Sequence, residues 1–259
     1  MIIDFHTHVF PDAIAQKASD SIARFYDIPT QFDGRLETLL AIGAAAHVDH
    51  YVVHSVATSP AQTASINSFI AGICRDNENV SGFATIHQDQ EDMEAEIERA
   101  LQMGLKGVKI HSDMQRAAID DPRLFRLYEI IEGRVPLLAH TGDYRFDYSN
   151  PGRLLHVLGA FPRLTLIGAH FGGWSVWREA AEALRGRNVY VDCSSSFYAL
   201  TPAESLDLIR TFGAEHVLFG SDYPMWDPGV ELEYLKKLGL SASETDLILH
   251  ENAERLLGL

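Results

Sequence analysis

Cysteine is nearly absent from this 259-residue chain, which has only Cys74 and Cys193. Two cysteines exclude a disulfide framework and point to a reducing compartment, with the cytoplasm as the default location. Basic residues are also scarce. Twenty-one Lys and Arg face 36 Asp and Glu, and the net charge of −15 argues against nucleic acid, whose phosphates demand a basic surface. No apolar run approaches the roughly 18 residues that a membrane span needs. The N-terminus has no basic segment ahead of an apolar one and carries Asp4, His6 and His8 early, so no secretory signal is expected. No Ser/Pro/Gly-rich linker or charge block divides the chain, so residues 1–259 are read as one domain. Also missing are the phosphate-binding patterns Gly-x-Gly-x-x-Gly and Gly-x-x-x-x-Gly-Lys-Ser/Thr, and the serine-nucleophile pattern Gly-x-Ser-x-Gly. These absences disfavour nucleotide-dependent oxidoreductases and serine hydrolases.

What is present is alternation. Apolar, β-branched runs fall near 2–8, 50–57, 80–87, 105–111, 135–140, 163–170, 187–193 and 215–222, with helical spacing between them. From Asp89 to Gly104, acidic residues crowd the start, Met93, Ile97 and Leu101 recur every four residues, and glycine closes the stretch. Further helices are expected over 121–133, 173–185 and 202–212, the last opening at Thr201-Pro202. Eight strand–helix alternations predict an α/β protein, a (β/α)8 TIM barrel. An open doubly wound sheet would want a glycine-rich turn after its first strand, and His6-Thr7-His8-Val9-Phe10-Pro11 is unlike one.

Polar residues close these runs. His6 and His8 end the first, His111 the fourth, His140 the fifth, His170 the sixth and Asp222 the eighth. Barrel chemistry sits at the C-terminal strand ends, and alternate residues of a strand share a face, so His6 and His8 can address one ion. Neutral imidazoles with one carboxylate suit zinc or a similar divalent metal. His6, His8, His140 and Asp222 could surround such an ion, and His170 could polarise a substrate oxygen or act as general acid. Asp4 is expected to orient a ligand or hold the first turn, and Asp192 to line the pocket or serve as a buried partner. Lys109 shares the parity of His111, one layer deeper, and is expected to pair with a carboxylate such as Asp4 or Asp192. His54 and His87 end the second and third runs and are candidates to line the pocket. His111, Arg145 and Trp226 are the expected substrate contacts, with Arg145 or Arg116 able to grip a carboxylate.

Several motifs together resemble the amidohydrolase superfamily, in the branch containing aminocarboxymuconate-semialdehyde decarboxylase and metal-dependent hydrolases. They are the His-x-His pair, Gly-Val-Lys-Ile-His (107–111), Ala-His-Thr-Gly (139–142), Ala-His-Phe-Gly-Gly (169–173) and Gly-Ser-Asp-Tyr-Pro (220–224). The resemblance spans the chain. It implies His6, His8, His140 and Asp222 as metal ligands and His170 as the acid/base residue. It also implies one divalent ion, zinc or alternatively manganese, and a small-molecule substrate. Some amidohydrolases carboxylate a fourth-strand lysine to bridge two metals, a role that would fall to Lys109. The expected reaction is hydrolysis of an amide, lactone or related bond, with non-oxidative decarboxylation of an unsaturated or aromatic acid as the alternative. A homodimer is the expected assembly for such a barrel.

Overall fold

Parallel strands cannot be joined by tight turns, so each apolar run must return through a crossover helix. In a computed structural model describing residues 1–259, eight parallel strands pair in sequence order within one sheet. They are β1 (Ile3–His8), β2 (His50–His54), β3 (Val80–Thr85), β4 (Gly107–His111), β5 (Leu137–His140), β6 (Leu166–Gly168), β7 (Tyr190–Asp192) and β8 (Val217–Leu218). The seam between first and last strands is closed by backbone hydrogen bonds. Phe5 donates to the Phe219 carbonyl at 2.9 Å, Asp222 to that of His6 at 2.8 Å and His8 to that of Tyr223 at 2.7 Å. The fold is the expected (β/α)8 barrel. No helix is long and apolar enough to cross a membrane.

Helices α1 (Ala15–Tyr26) and α2 (Leu36–Ala45) follow β1, and α3 (Thr63–Asp76) follows β2. Next come α4 (Met93–Gln102), the single turn α5 (Ser112–Gln115), α6 (Pro122–Ile131), α7 (Pro151–Ala160), α8 (Trp177–Leu184), α9 (Pro202–Phe212) and α10 (Pro228–Lys236). The expected helix signals act as caps. Asp92 accepts from the Ala95 amide, Asp121 from Arg123, and Thr201 forms a reciprocal capping box with Glu204. The stretch expected as a helix over 173–185 begins only at Trp177. Its first four residues remain in the loop that carries the preceding histidine.

Most strands are shorter than the apolar runs suggest, because the ladder stops where the chain turns into the site. The sixth and eighth runs were expected to end at His170 and Asp222. Pairing instead ends at Gly168 and Leu218, and both residues lie in loops just beyond. His170 (φ 59°) and Asp222 (φ 61°) adopt left-handed backbone, which costs a non-glycine residue about 1–3 kcal/mol. Strain of that kind persists only where surrounding contacts over-determine it.

The core has two layers. Fifty buried residues fill the space between strands and helices, whereas ten, among them Phe5, Val52, Phe83, Leu138, Ile167 and Leu218, fill the barrel interior. Register between β1 and β2 slips by one residue between Asp4 and Thr7. Such a bulge re-aims side chains. Phe5 therefore packs inward against Phe83 while His6 and His8 still face the mouth.

Candidate active site at the barrel mouth

His6, His8 and Asp222 are brought together at the end of the β8–β1 seam. Their facing atoms form a near-equilateral triangle. His6 Nε2 lies 3.2 Å from His8 Nε2, and each nitrogen lies 3.4 Å from Asp222 Oδ1. An ion with bonds of about 2.0–2.1 Å holds tetrahedral ligands about 3.3 Å apart, so three donors already stand at the spacing of one metal.

Hydrogen bonds fix which nitrogen is free. His6 Nδ1 donates to Asp192 Oδ2 at 2.8 Å, so the lone pair sits on Nε2, which faces the triangle with Lys109 Nζ 3.2 Å away. Asp192 is fully buried, and its other oxygen accepts the backbone N–H of His170 (3.0 Å) and of Ser194 (3.1 Å). It therefore ties β1 to the β6 and β7 loops, as its position at a strand end suggested. Burial alone would raise its pKa, but the His6 charge and hydrogen bonds outweigh that and hold it well below the usual carboxylate range. Burial, reinforced by Lys109, lowers His6 to about 4, and burial also lowers His8. Both imidazoles are neutral at pH 7, as metal ligation requires.

Asp222 is held on its other side. Ser195 donates to Asp222 Oδ2, and the Trp226 indole N–H donates to Ser195 Oγ at 2.8 Å. Burial opposes ionisation of Asp222, yet the imidazoles of His6, His170 and His8 together keep it well below the carboxylate range. Trp226, expected as a substrate contact, positions this serine, stacks on Tyr198 and lines a narrow cleft with His140, His170 and Asp222.

His140 and His170 meet each other, with His140 Nδ1 at 3.0 Å from His170 Nε2. His170 Nδ1 donates to the Ser194 carbonyl at 2.9 Å, so its Nε2 is the working atom. His140 Nε2 lies 3.5 Å from Asp113 Oδ2, and its ring stacks on His111 at 3.9 Å and 7°. One nitrogen each of His111 and His140 and a carboxylate oxygen of Asp113 lie within 4.8 Å of one another. His111 Nδ1 accepts the Met114 amide at 3.3 Å, and its Nε2 lies 2.7 Å from the Tyr26 hydroxyl.

Other expectations are corrected. Arg145 is not free to grip a substrate. Its guanidinium is held by both oxygens of Asp143 (2.9 and 2.6 Å) and the Phe25 carbonyl (2.6 Å), and it packs over four aromatic rings. Neither Asp4 nor Asp192 pairs with Lys109, whose side-chain partner is His6 Nε2 at 3.2 Å. Burial lowers this lysine to about 8. Asp4 accepts the amides of Ser221 (2.9 Å) and His6 (3.3 Å), holding the first turn at the seam. Neither His54 nor His87 lines the cavity. His87 accepts the Asp89 amide, and His54 lies against His6 and His8.

The cavity itself measures about 580 Å3, within the range for small-molecule sites. His8, His111, His140, His170 and Asp222 form its floor, and apolar side chains such as Phe25 and Phe69 form its walls. The sequence reading missed Tyr26, Ser194 and Ser195. The two serines follow Asp192 past a strand end, which is a usable signal. Tyr26 ends a helix packed over the mouth, and no local pattern marks it.

Comparison with known proteins agrees with the barrel fold. A TIM-barrel protein of Bordetella bronchiseptica superposes with a TM-score of 0.80 at 23% identity, covering 99% of this chain and 98% of its own. A dihydroxybenzoic acid decarboxylase of Polaromonas sp. JS666, solved with bound manganese, gives 0.76 at 15% identity, covering 100% and 97%. A proposed 2-pyrone-4,6-dicarboxylic acid hydrolase of Pseudomonas putida gives 0.67 at 22%, covering 99% and 97%. No curated protein sequence matches the chain. The sequence model of the amidohydrolase family matches residues 3–259, and the chain belongs to that family.

Proposed function

We propose that this chain is a metal-dependent hydrolase acting on a small-molecule amide, lactone or related C–N or C–O bond. The observation that carries the reading is the His6–His8–Asp222 triangle, at ligand spacing, with two of its members on the floor of the cavity. His6, His8, His140 and Asp222 would hold one divalent ion. A nitrogen-rich set with one carboxylate suits zinc first, and manganese, bound in the Polaromonas relative, second.

Such an ion would supply Lewis acidity, polarising a carbonyl and acidifying water. The chain supplies the rest. Asp222 accepts the proton of the attacking water and passes it to the leaving group, while Ser195 keeps its second oxygen fixed. His170, whose Nδ1 is anchored on Ser194 and whose backbone N–H donates to Asp192, presents Nε2 to the substrate oxygen. The apolar walls exclude water around the reacting bond.

Decarboxylation of an unsaturated or aromatic acid is the second reading, favoured by one observation. Arg116 lies on the cavity rim with no carboxylate paired to it. The test is a screen of zinc- and manganese-loaded protein against lactones, amides and aromatic acids. Acid release is followed by pH-stat and carbon dioxide by its own assay. Acid release without carbon dioxide is the expected result, and carbon dioxide as the sole product would establish the second reading.

A further inference from the structure

His54 closes β2, yet no hydrogen bond accounts for it. The side chain is fully buried, and neither Nδ1 nor Nε2 has a partner. A neutral imidazole carries one donor and one acceptor, and buried polar atoms in proteins are nearly always satisfied. Leaving both unmet at one residue therefore calls for an explanation. The surroundings offer one. The His54 ring lies edge-on to His8 at 4.4 Å and to His6 at 4.9 Å between centroids. Each of the three histidines offers a nitrogen, and these nitrogens all lie within 4.8 Å of one another. Donors around one ion stand about 3.3 Å apart in a tetrahedron and about 4.2 Å apart when opposite, so small side-chain rotations bring His54 into range. His54 does not line the substrate cavity, which leaves the ion as what its nitrogen can serve.

We infer that His54 is a further nitrogen ligand of the divalent ion, beyond His6, His8, His140 and Asp222. This rests on the metal-dependent reading above and adds a residue from β2. Its consequence is a more nitrogen-rich site, which favours zinc or cobalt over manganese and magnesium. If His54 only fills space, a ring of similar shape without nitrogen will serve as well.

The test compares full-length wild type, His54→Phe and His6→Ala. Zinc affinity is measured by competition with a chromophoric chelator, and the visible spectrum is recorded on cobalt-substituted protein. Circular dichroism and melting of the chelated forms control for folding. The expected result is an affinity loss of at least about tenfold in His54→Phe, with shifted cobalt bands and an unchanged fold. Unchanged affinity and bands in His54→Phe, with metal lost in His6→Ala, would overturn the inference while leaving the metal reading intact. Metal retained in both variants would sink both. If His54→Phe does not fold, His54→Gln, which keeps a polar group of modest size, is read by the same criteria.

Discussion

At the scale of single residues, the site separates binding from proton transfer. His170 lies 3.0 Å from His140 but outside the His6–His8–Asp222 triangle. His170→Ala is therefore expected to lower kcat by about 10²–10⁴-fold with metal content unchanged by elemental mass spectrometry. Loss of the ion would reassign His170 as a ligand. The histidines also set a proton threshold. Burial holds His6 at about 4 instead of its ordinary 6.5, so protons compete for its nitrogen only near pH 4. Equilibrium dialysis across pH 7 to 3.5 should show the ion retained through pH 6 and released in the last unit or so. Release centred near 6.5 would mean that the ligands are ordinary solvated histidines. Lys109 gives a third check. It is a buried cation facing a ligand nitrogen with no carboxylate on it, so Lys109→Met should leave one ion per chain. A fall from two ions to one would instead reveal a carboxylated bridge.

At the scale of elements, the barrel's seam and its loop turns aim the ligands. Gly220 lies where β8 passes β1, and a Cβ there would come within 2.8 Å of the His6 Cβ and 3.3 Å of its backbone nitrogen. Gly220→Ala must push β1 outward and spread the triangle. Zinc affinity should fall by at least about tenfold, with a stability loss of about 1–3 kcal/mol in urea melts. The mouth is also where the reading of strand ends fell short. Apolar runs continued to His170 and Asp222, but hydrogen-bonded pairing stops earlier because the chain turns left-handed there. Hydrophobicity records burial, and the loops at the mouth are as buried as the strands.

For the whole molecule, ion binding and pH are linked to stability. A ligand that binds only the folded chain stabilises it by about 2.7 kcal/mol at a hundredfold excess over its Kd. A chain of this length shifts by about 2–4 °C per kcal/mol. Chelation should therefore lower Tm by roughly 5–10 °C, and an unchanged Tm would count against a resident ion. For the chelated protein the pH signs run in opposite directions. The buried histidines, His6 among them, have folded values below 6.5, so the unfolded chain binds more protons and stability is lost as pH falls from 6.5 toward 4. Burial raises Asp4 and Asp113 to about 7 and Glu231 to about 8, so their contribution is lost progressively as pH rises from about 4 to 8. Five buried histidines, with His111 and His140 also lowered, outnumber these three carboxylates, so maximum stability is expected at about pH 6.5. No loss of stability between pH 6.5 and 8 would show that these carboxylates are ionised in the folded chain.

By itself the sequence determined the barrel, its strand order and the placement of His6, His8, His140, His170 and Asp222 at one end. Those features follow from local periodicity, and the geometry of parallel crossovers does the rest. Asp192 was legible for the same reason. Only the tertiary structure decided which of these atoms converge and what holds them. Arg145 looked free until Asp143 and the distant Phe25 carbonyl claimed it. Tyr26 reached His111 from a helix outside the strand pattern. His54 was turned toward His6 and His8 rather than the cavity by packing that no local signal encodes. Periodicity specifies the face on which a side chain emerges. Its partner is set by contacts between residues far apart in the chain, which exist only once the barrel has closed.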